Sequence, residues 1–94
     1  MARVFHVAIP TQLRSYTGGA ARVDVTVDVP SPHLADVFAA LERAYPGIRF
    51  RMIDEAGRVR PHIQVFVDMA VERNPEAHLR DGATIMIVGA LSGG

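Results

Sequence analysis

Residues 3–9 alternate in polarity. Phe5, Val7 and Ile9 share one face, and Val4, His6 and Ala8 share the other. Alternation of this kind predicts a strand with one buried side, stopped here by Pro10. Residues 22–29 alternate more cleanly, with Val23, Val25, Val27 and Val29 pointing inward and Arg22, Asp24, Thr26 and Asp28 pointing out. The connection between them closes on Gly18-Gly19, a turn signal, so the two strands are expected to form a hairpin. The period then changes. Leu34, Val37, Phe38, Leu41 and Tyr45 follow helical spacing, Ser31 is placed to cap the N-terminus, Pro32 suits the first helical position, and Pro46-Gly47 ends the run. A lone helix of about three to four turns is marginal in water, so it should lie across a sheet.

Residues 54–57 read as a turn between two Arg-bearing segments. Residues 62–68 are a third strong strand, with Ile63, Val65 and Val67 inward and His62, Gln64 and Phe66 outward. Residues 69–83 carry Pro75 and Asp81-Gly82 and read as loop with room for one short strand; Leu79 is expected to anchor it in the core. Residues 84–91 form the last strand, with Ile85 and Ile87 inward and Met86 and Val88 outward. The order strand, strand, helix, strand, short element, strand predicts an α+β fold, a mixed sheet of four to five strands crossed by one main helix. The first and last strands can lie parallel at the sheet centre only through a long crossover, which the intervening segment can supply. If the third and last strands are neighbours, Phe66, Met86 and Val88 make one exposed apolar patch, with Leu91 just beyond. Clusters of this kind mark interaction sites, whereas apolar residues scattered singly over a surface are ordinary.

Composition narrows the chemistry. A chain of 94 residues suits one domain, expected over residues 1–90, with residues 91–94 as a flexible tail ending Gly-Gly. Ten basic residues balance ten acidic ones, which argues against broad attraction to nucleic acid or an anionic membrane. The start shows no signal-peptide pattern and no apolar run is long enough to span a bilayer, so a cytoplasmic location is expected. There is no Cys and no Lys, hence no thiolate and no side-chain amine to act as nucleophile. His6, His33, His62 and His78 lack metal-ligand spacing, and no metal site is expected. Ser15, Ser31 and Ser92 lack a glycine elbow, and "YTGGA" lacks the Gly-Lys-Ser/Thr of a phosphate loop. Arg49, Arg51, Arg58 and Arg60 read either as a solvated face or as a docking surface for an acidic partner. No side-chain constellation offers a reaction, so no catalytic residue is assigned.

Several stretches carry a resemblance. "IPTQLRSYTGG" at 9–19, "YPGIRFRMIDEAGRVRPHIQVFVD" at 45–68 and "LRDGATIMIVGALSGG" at 79–94 resemble the start, middle and end of the MoaD/ThiS family of prokaryotic sulfur carrier proteins, which have the β-grasp, ubiquitin-like fold. The first stretch is most similar to the branch serving cysteine biosynthesis. Two departures stand out: Gly89 replaces a Pro common in the family, which is expected to loosen the root of the tail, and "DMAVER" replaces an Asn-Gly turn after the third strand. The resemblance implies that the Gly94 carboxyl, with Gly93 and Ser92 in the tail, is adenylated and converted to a thiocarboxylate. It implies three partners: a ubiquitin-activating-type adenylyltransferase that uses ATP, a sulfur donor protein, and a synthase that accepts the sulfur for molybdopterin, thiamine or cysteine biosynthesis. No bound cofactor and no active site of its own are implied. Phe66, Met86, Val88 and Leu91 would then dock the activating partner. The alternative is a ubiquitin-like modifier conjugated through Gly94. Either way, with no Lys the chain should not accept a second copy through a side chain, although an amide to the Met1 amine stays open. Denaturant-resistant multimers carrying a side-chain linkage in peptide mass spectra would contradict this.

Overall fold

The computed structural model describes residues 2–89. Strand β1 (Arg3–Ala8) leads through a 3-10 turn (Thr11–Leu13) to β2 (Arg22–Val27). Helices α1 (Leu34–Ala44) and α2 (Ile48–Met52) follow, then β3 (Ile63–Val67), the two-residue β4 (Ala70–Val71) and β5 (Thr84–Gly89). The five strands form one sheet in the order β2-β1-β5-β3-β4. β1 and β5 run parallel at its centre, with Val7 opposite Ile85 and Ala8 opposite Met86. The other pairs are antiparallel. This is the β-grasp arrangement expected from the alternation and the single strong helix.

The inward positions of the central strands build the core. Phe5, Val7, Val65, Ile85 and Ile87 are buried to 1% exposure or less, facing Leu34, Phe38 and Leu41 of α1. Helix α2 closes one end, inserting Ile48 and Met52 and leaving Arg49 and Arg51 outside. Leu79 is buried as an anchor for the long loop. No helix among the described residues is long and apolar enough to cross a membrane.

The start of α1 differs from expectation. Its N-cap is His33, neither Ser31 nor the position before Pro32 as first helical residue. The reason is tertiary. Residues 32–33 run alongside the loop at 78–79, where Leu79 N–H donates to Pro32 O (2.9 Å) and His33 bridges His78. The free N–H groups of Leu34 and Ala35 are met by the carbonyls of Ala77 (2.9 Å) and Pro75 (2.8 Å), and Asp36 accepts from His33 N–H (2.8 Å). Ser31 Oγ instead lies 3.2 Å from His78 Nδ1.

The β3–β4 connection keeps a two-residue hairpin without the favoured Asn-Gly pair. Val67 opposes Ala70, and Asp68 and Met69 between them take φ of +50° and +73°. Two consecutive left-handed residues match the twist of the strands. Asp68 is suited to the position, since its carboxylate accepts from Thr84 N–H (3.0 Å) and Arg80 Nε (2.8 Å). Met69 is 83% exposed, so its side chain offers little packing to offset the steric cost. Met69→Gly should therefore stabilise the domain by about 0.5–1 kcal/mol, raising Tm by a few degrees in a calorimetric scan; a fall in Tm would contradict the left-handed assignment.

Candidate functional site

The candidate surface is the face of the sheet opposite α1. Register carries one apolar row across four strands: Ala8 beside Met86, Met86 beside Phe66, Phe66 beside Val71. Val88 lies one pleat further along β5, opposite Gln64. Phe66 and Met86 are half-buried, while Val88 and Val71 are 39% and 54% exposed. The structure thus brings together Phe66, Met86 and Val88, as the alternation predicts. Leu91, Ser92, Gly93 and Gly94 lie outside the described residues. Val71 was missed because a two-residue strand has no detectable period; its only signal was alternation continued past the hairpin turn. The next row is polar, with His6 Nδ1 2.6 Å from Asp24 Oδ1 and Thr84 opposite His6, so the apolar row ends sharply on that side.

The row adjoins the C-terminal end of β5 at Gly89, the last described residue. There the loop after β1 packs close. Its Leu13 and Thr17 are buried, Gly18 and Gly19 take φ of +64° and +91°, and Arg14 Nε donates to Ile9 O (2.9 Å). Thr17 Oγ1 lies 2.8 Å from Ala20 O, and Gly19 N–H donates to Arg14 O (2.7 Å). The "LRSYTGG" stretch therefore folds on itself as a fixed loop. Gln12, on its 3-10 turn, donates from Nε2 to Gly89 O at 3.0 Å. The expected loosening at Gly89 thus meets a side-chain tether. Nothing in the local sequence signals this role for Gln12.

Three of the four Arg side chains in the Arg-bearing segments have partners within the chain. Arg51 Nε donates to Tyr16 Oη (2.7 Å), Arg58 sits 3.4 Å from Asp54, and Arg60 stacks 4.5 Å over the Phe50 ring while donating to Phe50 O. These internal partners fit the solvated-face alternative. Among the described residues no group of three or more His, Cys, Asp or Glu could hold a metal ion.

The sulfur carrier protein CysO of Mycobacterium tuberculosis is 31% identical over 93 residues, spanning 94% of this chain and 96% of that protein. The chain belongs to the MoaD/ThiS-type sulfur carrier family, on its CysO branch. A chain in the crystal structure of the Amycolatopsis orientalis BexX/CysO complex superposes with a TM-score of 0.81 at 29% identity, covering 96% of this chain and 99% of that one. The small modifier SAMP1 of Haloferax volcanii shares the fold, with a TM-score of 0.81 at 22% identity over 97% of this chain and 99% of its own. A scan against protein-family models finds no match. The β-grasp assignment and the family resemblance of the sequence both hold.

In this sulfur carrier, one ionised group ties the β3–β4 turn to the start of β5. The carboxyl of Asp68 is held below the ordinary carboxylate value, first by the Thr84 N–H; burial opposes this, and the Arg80 guanidinium adds to the lowering. A depressed carboxyl contributes stability that is present above its unfolded value and lost as pH falls through the folded one. Asp68→Asn should therefore flatten the fall of Tm below about pH 4. Glu42 and Asp54, lowered by backbone N–H bonds, retain the rest of that slope. A variant with an acid limb identical to wild type would count against the Asp68 contribution.

Proposed function

We propose that the Gly94 carboxylate is the working group of this sulfur carrier and that the apolar row docks the enzyme that activates it. A carboxylate oxygen attacks the α-phosphorus of ATP, pyrophosphate leaves, and an acyl-adenylate forms. A sulfur nucleophile at the hydrosulfide level then adds to the acyl carbon and expels AMP, leaving a thiocarboxylate. The chain has no thiol or side-chain amine to take part, so it acts as co-substrate, and the partner supplies nucleotide binding and electrostatic stabilisation. Gly93 and Gly94 suit the task because backbone without Cβ can thread a confined site. We assign the activating partner to the ubiquitin-activating type of adenylyltransferase, the sulfur to a donor protein, and the product to a synthase acting on a cysteine precursor, all in the cytoplasm.

The observation that carries this reading is spatial. Met86 and Val88 lead directly along β5 to Gly89, and Gly94 is five residues further along the chain, a reach of at most about 18 Å. A partner seated on the row would reach the carboxylate with a nucleotide site within that distance of Gly89. The relative in complex with BexX supports association with a second protein.

Deleting Gly94 withdraws the carboxylate by up to about 3.5 Å, a displacement that can cost 10²-fold or more in rate, by order of magnitude. The truncated chain should keep its Tm and fail to exchange oxygen for sulfur in intact-protein mass spectra with activating enzyme, ATP and sulfur donor; Gly93→Val should do the same. Sulfur gained at the wild-type rate, or mapped away from the C-terminal peptide, would overturn the assignment. An isopeptide to Lys of another protein, with no thiocarboxylate, would favour the modifier alternative.

Phe66→Ala removes the central aromatic of the row without touching the core. It should weaken binding of the activating enzyme by about 2 kcal/mol, roughly 30-fold. Undiminished affinity by titration calorimetry would place docking elsewhere.

A further inference from the structure

We infer that Gln12 and Gly89 form a matched pair that fixes the root of the reactive tail, making Gln12 a positioning residue for activation. The inference rests on the sulfur-carrier reading and adds a residue to it. The pairing of β1 with β5 ends at Ala8 opposite Met86, because β1 turns away at Pro10, which has no N–H to donate. Beyond that point β5 continues to Gly89, with Ile63 of β3 opposite it. On the side that β1 has vacated, the Gln12 carboxamide takes the place of a backbone donor, giving Nε2–H to Gly89 O at 3.0 Å.

The second observation is steric. A Cβ added at Gly89 would fall 3.0 Å from Gln12 Oε1 and 3.1 Å from its Cδ and Nε2. A side chain at position 89 would thus press on the amide, which would have to give by a few tenths of an ångström, while the φ of Gly89 is one that other residues accept. Gln12 is itself held on a rigid support. Leu13 beside it is buried, and Leu13 N–H donates to Pro10 O at 2.9 Å. A tether from this support to the last paired carbonyl of β5 holds Gly89, the residue from which the sequence continues to the reactive carboxylate. It also removes freedom that the partner would otherwise have to restrict on binding. Since the apolar row is separate from the tether, loss of the tether should slow the reaction of the docked tail and leave docking itself intact.

The test measures pyrophosphate release by the activating enzyme with wild type, Gln12→Ala, Gln12→Glu, Gly89→Ala and the double variant Gln12→Ala/Gly89→Ala. Gln12→Glu keeps the shape and removes the donor. Each single variant should lower kcat by about 3- to 10-fold with KM for the carrier within about twofold and Tm unchanged. The double variant should be no worse than the worse single one, because both changes break the same contact. A wild-type kcat in Gln12→Ala, or losses that multiply in the double variant, would overturn the positioning role while leaving the carrier reading intact. A wild-type chain that is not adenylated at all would remove the carrier reading and the role together. Backbone relaxation by NMR reports the tether directly: Gly89 should gain fast motion in Gln12→Ala, and identical relaxation would show that no tether exists.

Discussion

The parallel pairing of β1 with β5 is the constraint on which the rest of the structure depends. Val7 opposite Ile85 and Ala8 opposite Met86 place the first and last strands side by side at the sheet centre. Parallel neighbours cannot be joined by a tight turn, so the chain between them must travel across a face and return. Helix α1 lies within that crossing and buries Leu34, Phe38 and Leu41 in the same core as both strands' inward residues. The same pairing puts the end of β5 beside the loop that leaves β1. A one-residue slip would turn Met86 inward and Ile87 outward, destroying the core and the outer apolar row at once.

The irregular segments are held by side chains bonding to backbone. The Arg73 guanidinium donates to the carbonyls of Ile63 (2.9 Å), Val59 (3.0 Å) and Arg60 (3.3 Å), tying the long loop to β3 and to the turn before it. Glu42 accepts from the N–H groups of Gly47 and Arg49 at the start of α2, and Asp54 accepts from those of Ala56 and Arg58. These contacts let loops cover the core without a cysteine in the chain. They also give the all-arginine basic set a structural use. A planar fork of donors reaches several carbonyls in fixed directions, which a single ammonium group does less well.

For a sulfur carrier, this construction divides the labour. In the proposed reading, the folded domain serves as a support and the chemistry belongs to a partner acting on the Gly94 carboxylate. The outer row would then supply recognition and the tether at Gly89 would supply aim. On that reading the acid and base of the reaction belong to the partner.

The amino-acid sequence by itself determined the strands, the main helix, and the faces of each. The period of two places Phe66 and Met86 outward, and the period of 3.6 places Phe38 inward, whatever their neighbours are. The terminal Gly-Gly and the "LRSYTGG" stretch also made the family recognisable before any contact was known. Tertiary structure alone decided the features that depend on residues far apart in the chain. His33 replaced Ser31 as the cap because the loop at 75–79 arrives to satisfy the helix start. Val71 joined the apolar row because a two-residue strand exists only by pairing with β3. Gln12 met Gly89 across 77 positions because pairing of β1 with β5 brings the loop after β1 to the end of β5. Local periodicity records which side of an element faces the core. It carries no information about which distant groups will meet once the core has formed, and both the tether and the cap are meetings of that kind.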